Sequence, residues 1–290
     1  MTERRSWRFL DGALLACLVA LAVAATWSIW IIIFRMAIRD EEQSHILLAP
    51  AVAAWLFWVR RERARLCRPA RSLIGPAVIV GGWVLAWYGF TYAFEAGHHF
   101  GALLIVVGAA LTILGPDFLL RFFPAFASLA FMMPIPGRIR SALAHPLQEY
   151  SALLTQWGMD LFGQTVVRSG NVLSLNGQDV AVAEACNGMR MVSALGLVAF
   201  AFVFSFPMRN WVRVLIVAIS PVVALVCNVV RLAPTVLLYG YSSKSVADVF
   251  HDASGWAVLA VALAILWGVL RTLRWLEFPI EPYAAAKAVR

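Results

Sequence analysis

Long apolar runs separated by short basic or turn-rich segments dominate the chain. A helix that crosses a bilayer needs about 20 mostly apolar residues, fewer where aromatic or snorkelling side chains extend its ends. By that rule eight spans are predicted, at 13–34, 45–59, 74–94, 100–114, 118–134, 191–206, 211–238 and 255–270, of which the second and fourth are short.

Between residues 135 and 190 the pattern changes three times. Pro134-Ile135-Pro136-Gly137 ends the fifth run, and the stretch SALAHPLQEYSALLTQWGMDLF then mixes apolar and polar residues at helical spacing. That mixture predicts an interfacial or re-entrant helix. The runs TVVR, VLSL and DVAVAE follow, separated by Ser169-Gly170-Asn171 and Asn176-Gly177-Gln178, and predict a small antiparallel β-meander. No internal repeat or low-complexity linker interrupts the pattern. The expected fold class is an all-α polytopic membrane protein of about eight transmembrane helices, with an extracytoplasmic β-meander and an interfacial helix. Residues 1–274 would form one transmembrane domain, and 275–290 a cytoplasmic tail.

Composition agrees with the bilayer as solvent: 62% of the 290 residues are hydrophobic, 14% are charged and mean hydropathy is +0.79. A formal charge of +8 could point to nucleic acid, but the basic residues cluster at the ends of apolar runs, where they act as topology signals. Nucleic acid is therefore not an expected partner. With the N-terminus inside, Arg4, Arg5, Arg8, the arginines of WVRRERARLCRPAR, Arg121, Arg209, Arg213, Arg271, Arg274, Lys287 and Arg290 all fall on the cytoplasmic side. These are most of the 24 Lys and Arg, so both termini are expected in the cytoplasm and the 135–190 segment outside. A cleaved signal peptide competes for the first 34 residues because Ala22-Val23-Ala24 follows the basic start. The apolar run continues to Phe34, which favours an uncleaved anchor.

The four cysteines, Cys17, Cys67, Cys186 and Cys227, form no C-x-x-C pair and no zinc-like spacing, so neither a metal nor another cofactor is expected. Cys186, in AEACNGMRM, sits at a turn feeding the sixth span, where the helix dipole and unpaired amides can acidify a thiol. It could equally be a small apolar filler, as Cys17 and Cys227 would be within their helices. Asn228 and Arg231, at i and i+3 in the seventh span, share a face. An arginine at mid-membrane depth costs roughly 2.5–3.5 kcal/mol on insertion scales, although Arg231 could snorkel to the nearby outer end past Pro234. His251, in DVFHDASGW, is expected in the outer loop before the eighth span, flanked by Asp248 and Asp252; a loop histidine is either a general base or a solvated surface group. Separate spans would deliver Cys186, Arg231 and His251 to one leaflet, joining a nucleophile, a cation and a base. Two rivals remain at this level. In a transporter, Asn228, Arg231 and Pro221 would mark a broken helix; in a non-catalytic membrane component of polysaccharide assembly, Cys186 would only pack.

AEACNGMR with Cys186 and Arg190, NVVR with Asn228 and Arg231, and FHDASGW with His251 occur in the order in which the exosortase and archaeosortase family carries its proposed catalytic set. The chain resembles that family from about residue 40 to 270. VLSLNG before EAC and SHILLAP with His45 and Pro50 are similar as well, while Asn187 stands where the family commonly has Ser. The resemblance implies a membrane cysteine peptidase or transpeptidase in the cytoplasmic membrane, with its active site outside. Cys186 would be nucleophile, His251 base and then acid, and Arg231 stabiliser of the thiolate or oxyanion. Arg190 would share the anion-binding role, and Asn228 would orient Arg231 or a substrate carbonyl. The implied partner is an exported protein whose C-terminal sorting signal, PEP-CTERM-like, joins a short polar motif, a transmembrane helix and a basic tail. Membrane lipid surrounds the enzyme, a lipid or glycan is a possible acceptor, and a link to surface polysaccharide or cell-surface anchoring follows.

Overall fold

The computed structural model describes residues 9–40, 43–67, 72–182 and 188–276, and the chain divides into two compact units, residues 1–136 and 137–290.

In the first unit, α1 (Phe9–Ala25) and α2 (Trp27–Arg39) meet at a bend of 75°. Thr26 forms the corner. Its hydroxyl donates to the Ala22 carbonyl at 2.7 Å and accepts Trp30 Nε1 at 2.8 Å, a side-chain interruption of the kind that bends helices. Helix α3 (His45–Val59) buries Ile46, Ala49, Val52, Ala53 and Leu56 along one stripe and leaves Trp55 and Trp58 exposed. Helices α4 (Ile74–Thr91) and α5 (Glu95–Arg121) form a hairpin drawn together by glycine. A Cβ on Gly82 would lie 2.8 Å from the Gly101 carbonyl, and one on Gly101 would lie 2.5 Å from that of Gly82, so the backbones touch where side chains would keep them apart. His98 Nδ1 reaches the Ala86 carbonyl at 2.9 Å across the same seam. Gly115, at φ 75°, and Pro116 kink α5 before its end. The short α6 (Phe123–Ser128), one 3₁₀ turn and an aromatic knot of Phe57, Phe118, Phe122 and Phe126 follow.

The second unit opens with α7 (Gly137–Leu161), whose polar and apolar positions alternate at helical spacing as the sequence predicts. The meander β1 (Val167–Ser169), β2 (Val172–Leu175) and β3 (Gln178–Ala181) is antiparallel, with Ser169 opposite Val172 and Leu175 opposite Gln178. Both connections are therefore two-residue turns. Asn176 and Gly177 hold φ of 53° and 75°, the pairing a type I′ turn requires, and Gly170 opens the other turn at φ 62°. Helices α8 (Gly188–Ser205), α9 (Asn210–Tyr241) and α10 (Lys244–Trp275) complete the unit. Leu195, Ala199 and Val203 of α8 pack with Ile216, Ala224 and Cys227 of α9 and with Val258, Ala262 and Leu266 of α10. Cys227 is core filler, whereas Cys17 is exposed on α1. A second cluster joins the meander through Leu173, Leu175, Val180 and Val182 to Ala152 and Met159 of α7 and to Leu232 and Val236 of α9.

The mostly helical fold with a small antiparallel sheet is as expected, and the described residues do not reach the expected count of eight spans. Among the described residues four helices, α4, α5, α9 and α10, are long and apolar enough to cross a membrane, and the bent pair α1–α2 makes up to five. The run 118–134 is not one helix, because the Gly115-Pro116 kink, the break at Phe122 and the 3₁₀ turn divide it. The run 45–59 is a helix of 15 residues, about 22 Å long and short of a hydrocarbon core of about 30 Å. The run 191–206 lies within α8, whose fully described apolar part is Met191–Ser205. An apolar run measures what avoids water, and it does not separate residues that face lipid from residues that face protein. Exposed Trp83, Trp87, Val222, Val226, Val230 and Trp267 on the long helices present the outward apolar surface of a multi-pass membrane protein.

Candidate active site

Helix α9, at 32 residues, is about 48 Å long and outruns a hydrocarbon core of about 30 Å, and its C-terminal end carries the residues of the site. The meander is fastened to that end. Asn176 Nδ2 donates to the Gly240 carbonyl at 3.2 Å, and Leu175 lies so close to Gly240 that a Cβ there would meet its Cδ2 at 2.7 Å. Tyr241 donates its hydroxyl to Gln164 Oε1 at 2.8 Å, closing the connection between α7 and β1 onto the same helix end.

Arg231 lies between Pro221 and Pro234 of α9, half-buried. Its Nε donates to Ser254 Oγ at 3.0 Å and its Nη2 to the His251 backbone carbonyl at 2.8 Å. The same Nη2 stands 3.2 Å from both ring nitrogens of His251. One atom equidistant from Nδ1 and Nε2 cannot point a hydrogen squarely at both, so the guanidinium lies against the imidazole as well as bonding its backbone. Ser254 completes the clamp, accepting from Arg231 and donating to the His251 carbonyl at 3.0 Å. None of these partners is a carboxylate.

His251 is corrected in one respect: it stands within α10, two turns from the start of that helix at Lys244, and not in a loop. The helix begins earlier than the apolar run because the KSVADVFHDAS stretch, though polar, is helix-compatible and packs beside α9. Tyr239 donates its hydroxyl to Asp248 Oδ1 and ties the two helices together at an exposed contact.

Asn228, one turn before Arg231 and 2% exposed, donates Nδ2 to Ser151 Oγ of α7 at 3.0 Å. Cys186 lies outside the described residues. So does the Arg190 side chain, although its backbone forms the third position of α8. The structure thus joins Arg231 to His251 and anchors Asn228 to α7. Ser254 and Ser151 were not singled out from the sequence. Ser254 stands inside the quoted FHDASGW stretch and could have been found by its spacing of one turn from His251; Ser151, 77 positions from Asn228, leaves no local signal. Among the described residues no three His, Cys, Asp or Glu side chains gather to hold a metal ion.

A multi-pass helical protein that fixes an arginine to a histidine through half-buried hydrogen bonds belongs to the class of membrane proteins with a polar site between apolar helices. The sequence model of the transmembrane exosortases matches residues 30–268, most of the chain, and the protein belongs to that family. Exosortases are in general membrane cysteine transpeptidases that act on exported proteins carrying C-terminal sorting signals. No curated protein and no solved structure matches the chain.

Proposed function

We propose that this exosortase cleaves the C-terminal, PEP-CTERM-like sorting signal of exported proteins at the outer face of the cytoplasmic membrane, with Cys186 as nucleophile. The observation that carries the reading is the Arg231–His251–Ser254 clamp between two membrane-spanning helices. Further support comes from the chain path. The stretch containing Cys186 starts directly after Val182, which is fully buried in one cluster with Leu232, the neighbour of Arg231, and it ends at Gly188 where α8 begins.

In this mechanism His251 takes the Cys186 proton, and the thiolate attacks the scissile carbonyl carbon to form a C–S bond. Arg231 and Arg190 stabilise the oxyanion. The C–N bond then breaks, its electron pair goes to nitrogen, and the His251 imidazolium returns the proton to the leaving amine. Water or an amine of a lipid or glycan acceptor resolves the thioester. Both termini are cytoplasmic, residues 1–274 form the catalytic membrane domain and 275–290 a tail, and the activity serves surface polysaccharide assembly or cell-surface anchoring.

The test is processing, in intact cells, of an exported reporter bearing a tagged sorting signal. Cys186→Ala, and nearly as completely Cys186→Ser, should abolish loss of the tag while the protein still accumulates in the membrane, because a hydroxyl is far harder to deprotonate than a thiol. Cys17→Ala, on the exposed face of α1, is the control and should process normally. Normal cleavage by Cys186→Ala would return the protein to a non-catalytic or transport role.

A further inference from the structure

On two helices of the second unit, Asn228 Oδ1 and Thr155 Oγ1 are buried polar atoms with no hydrogen-bond partner among the described residues. Their residues are 2% and 0% exposed. Both lie on helices that pack together, α9 and α7. Ser151, 1% exposed, accepts Asn228 Nδ2, and Thr155 follows Ser151 by one turn of α7. Gln148, one turn before Ser151, is already engaged, its Oε1 accepting from Asn171 Nδ2 at 3.4 Å. A polar stripe of Gln148, Ser151 and Thr155 thus runs along a helix whose other buried positions include Ala144, Ala152 and Met159.

A polar atom that has lost water and gained no partner destabilises the fold, so a protein keeps one where a ligand completes it. The Ser151 hydroxyl could serve either end of the Asn228 amide, and in the structure it accepts from Nδ2. With one N–H held by the Ser151 oxygen, the carbonyl end is left as an open acceptor. An open acceptor seeks an N–H donor, and it stands one helical turn from Arg231, which supplies cationic donors. Acceptor and donor together complement a peptide group.

We propose that Ser151 is a positioning residue of the active site. It locks the Asn228 amide so that Oδ1 accepts the N–H of the scissile peptide bond. The inference rests on the peptidase reading above and adds to it the recognition of the leaving nitrogen. As the C–N bond breaks and its electron pair moves to nitrogen, an N–H held on Asn228 fixes the orientation of the pyramidal nitrogen. The new lone pair then has one direction from which His251 can protonate it.

The experiment compares two forms of one substrate, a sorting-signal peptide with its transmembrane helix and basic tail, cleaved by the full-length enzyme in reconstituted vesicles. In one form the scissile bond is the natural amide; in the other it is an ester, with oxygen in place of N–H. Ser151→Ala should lower kcat/KM about tenfold for the amide and less than about twofold for the ester, the effect of one hydrogen bond that only the amide can make. Ser151→Thr keeps the hydroxyl and should restore the amide rate. If Ser151→Ala does not accumulate, Ser151→Cys, close in size but a weaker acceptor, is read by the same amide-to-ester ratio. An equal loss on both substrates, or no loss on either, would overturn the proposal by reducing Ser151 to packing. Failure of the unsubstituted enzyme to cleave either substrate would sink the peptidase reading itself.

Discussion

Arg231 costs free energy to hold inside an apolar bundle, and the way it is held shows what the position requires. Its planar fork donates from Nε to Ser254 and from Nη2 to the His251 carbonyl at once, 3.0 and 2.8 Å away. An ammonium on a flexible stem offers no second nitrogen at a fixed angle. Arg231→Lys should therefore lose processing almost as fully as Arg231→Ala. Two charge-assisted hydrogen bonds at roughly 1.5–3 kcal/mol each predict a fall of about a hundredfold or more. The rate of product appearance in vesicles measures it; a lysine variant working near the normal rate would reduce Arg231 to a charge that merely reaches for water.

At the scale of elements, the α4–α5 hairpin depends on absent side chains. Gly82→Val would place a methyl-bearing carbon 2.8 Å from the Gly101 carbonyl and 2.9 Å from Leu104 Cβ, forcing two backbones apart. Overpacking of this kind costs typically about 1–3 kcal/mol, read as a lower melting temperature in detergent. The adjacent Gly81 has nothing within 4 Å of its hypothetical Cβ, so Gly81→Val should leave the melting temperature almost unchanged. Equal effects at both positions would mean that valine acts through helix propensity and not through the seam. The same reasoning marks what was legible in advance: Pro134 and Pro136, Gly170 and Asn176-Gly177 announced chain breaks and turns from residue type alone, and each occurs where expected. The Thr26 corner was not legible, because a threonine within an apolar run is ordinary until its hydroxyl finds the Ala22 carbonyl and Trp30.

For the whole molecule, the proposed topology predicts opposite accessibility for the two sides of the chain. The native Cys67 is a poor reporter. Burial raises its thiol pKa, Asp117 pushes the same way and Arg121 opposes, so its thiolate fraction stays below that of a free thiol at any given pH. Its Sγ also donates to the Arg63 carbonyl at 3.4 Å. Exposed positions serve better. In a protein whose Cys17, Cys67 and Cys186 are replaced by Ala, Glu62→Cys should react with a membrane-impermeant maleimide only in inside-out vesicles, and Gln178→Cys, in the meander, only in intact cells. Reaction of Glu62→Cys in intact cells would overturn the assignment of the arginine-rich segment to the cytoplasm.

Sequence alone determined that the bilayer is the solvent, where the chain turns, that the meander has three short strands, and which family the chain joins. Each of these depends on residue type and near-neighbour spacing, quantities that survive without a fold. Tertiary structure alone decided how many apolar runs are long, unbroken helices, since burial against protein and burial in lipid leave the same hydrophobic pattern. It also decided the partners of the site. Arg231 meets His251 and Ser254 across 20 and 23 positions, and Asn228 meets Ser151 across 77, contacts that arise only when separately formed helices pack. A histidine read as a loop residue became part of a helix for the same reason. Its polar surroundings resemble a loop until α9 supplies the arginine that gives that turn of α10 something to hold.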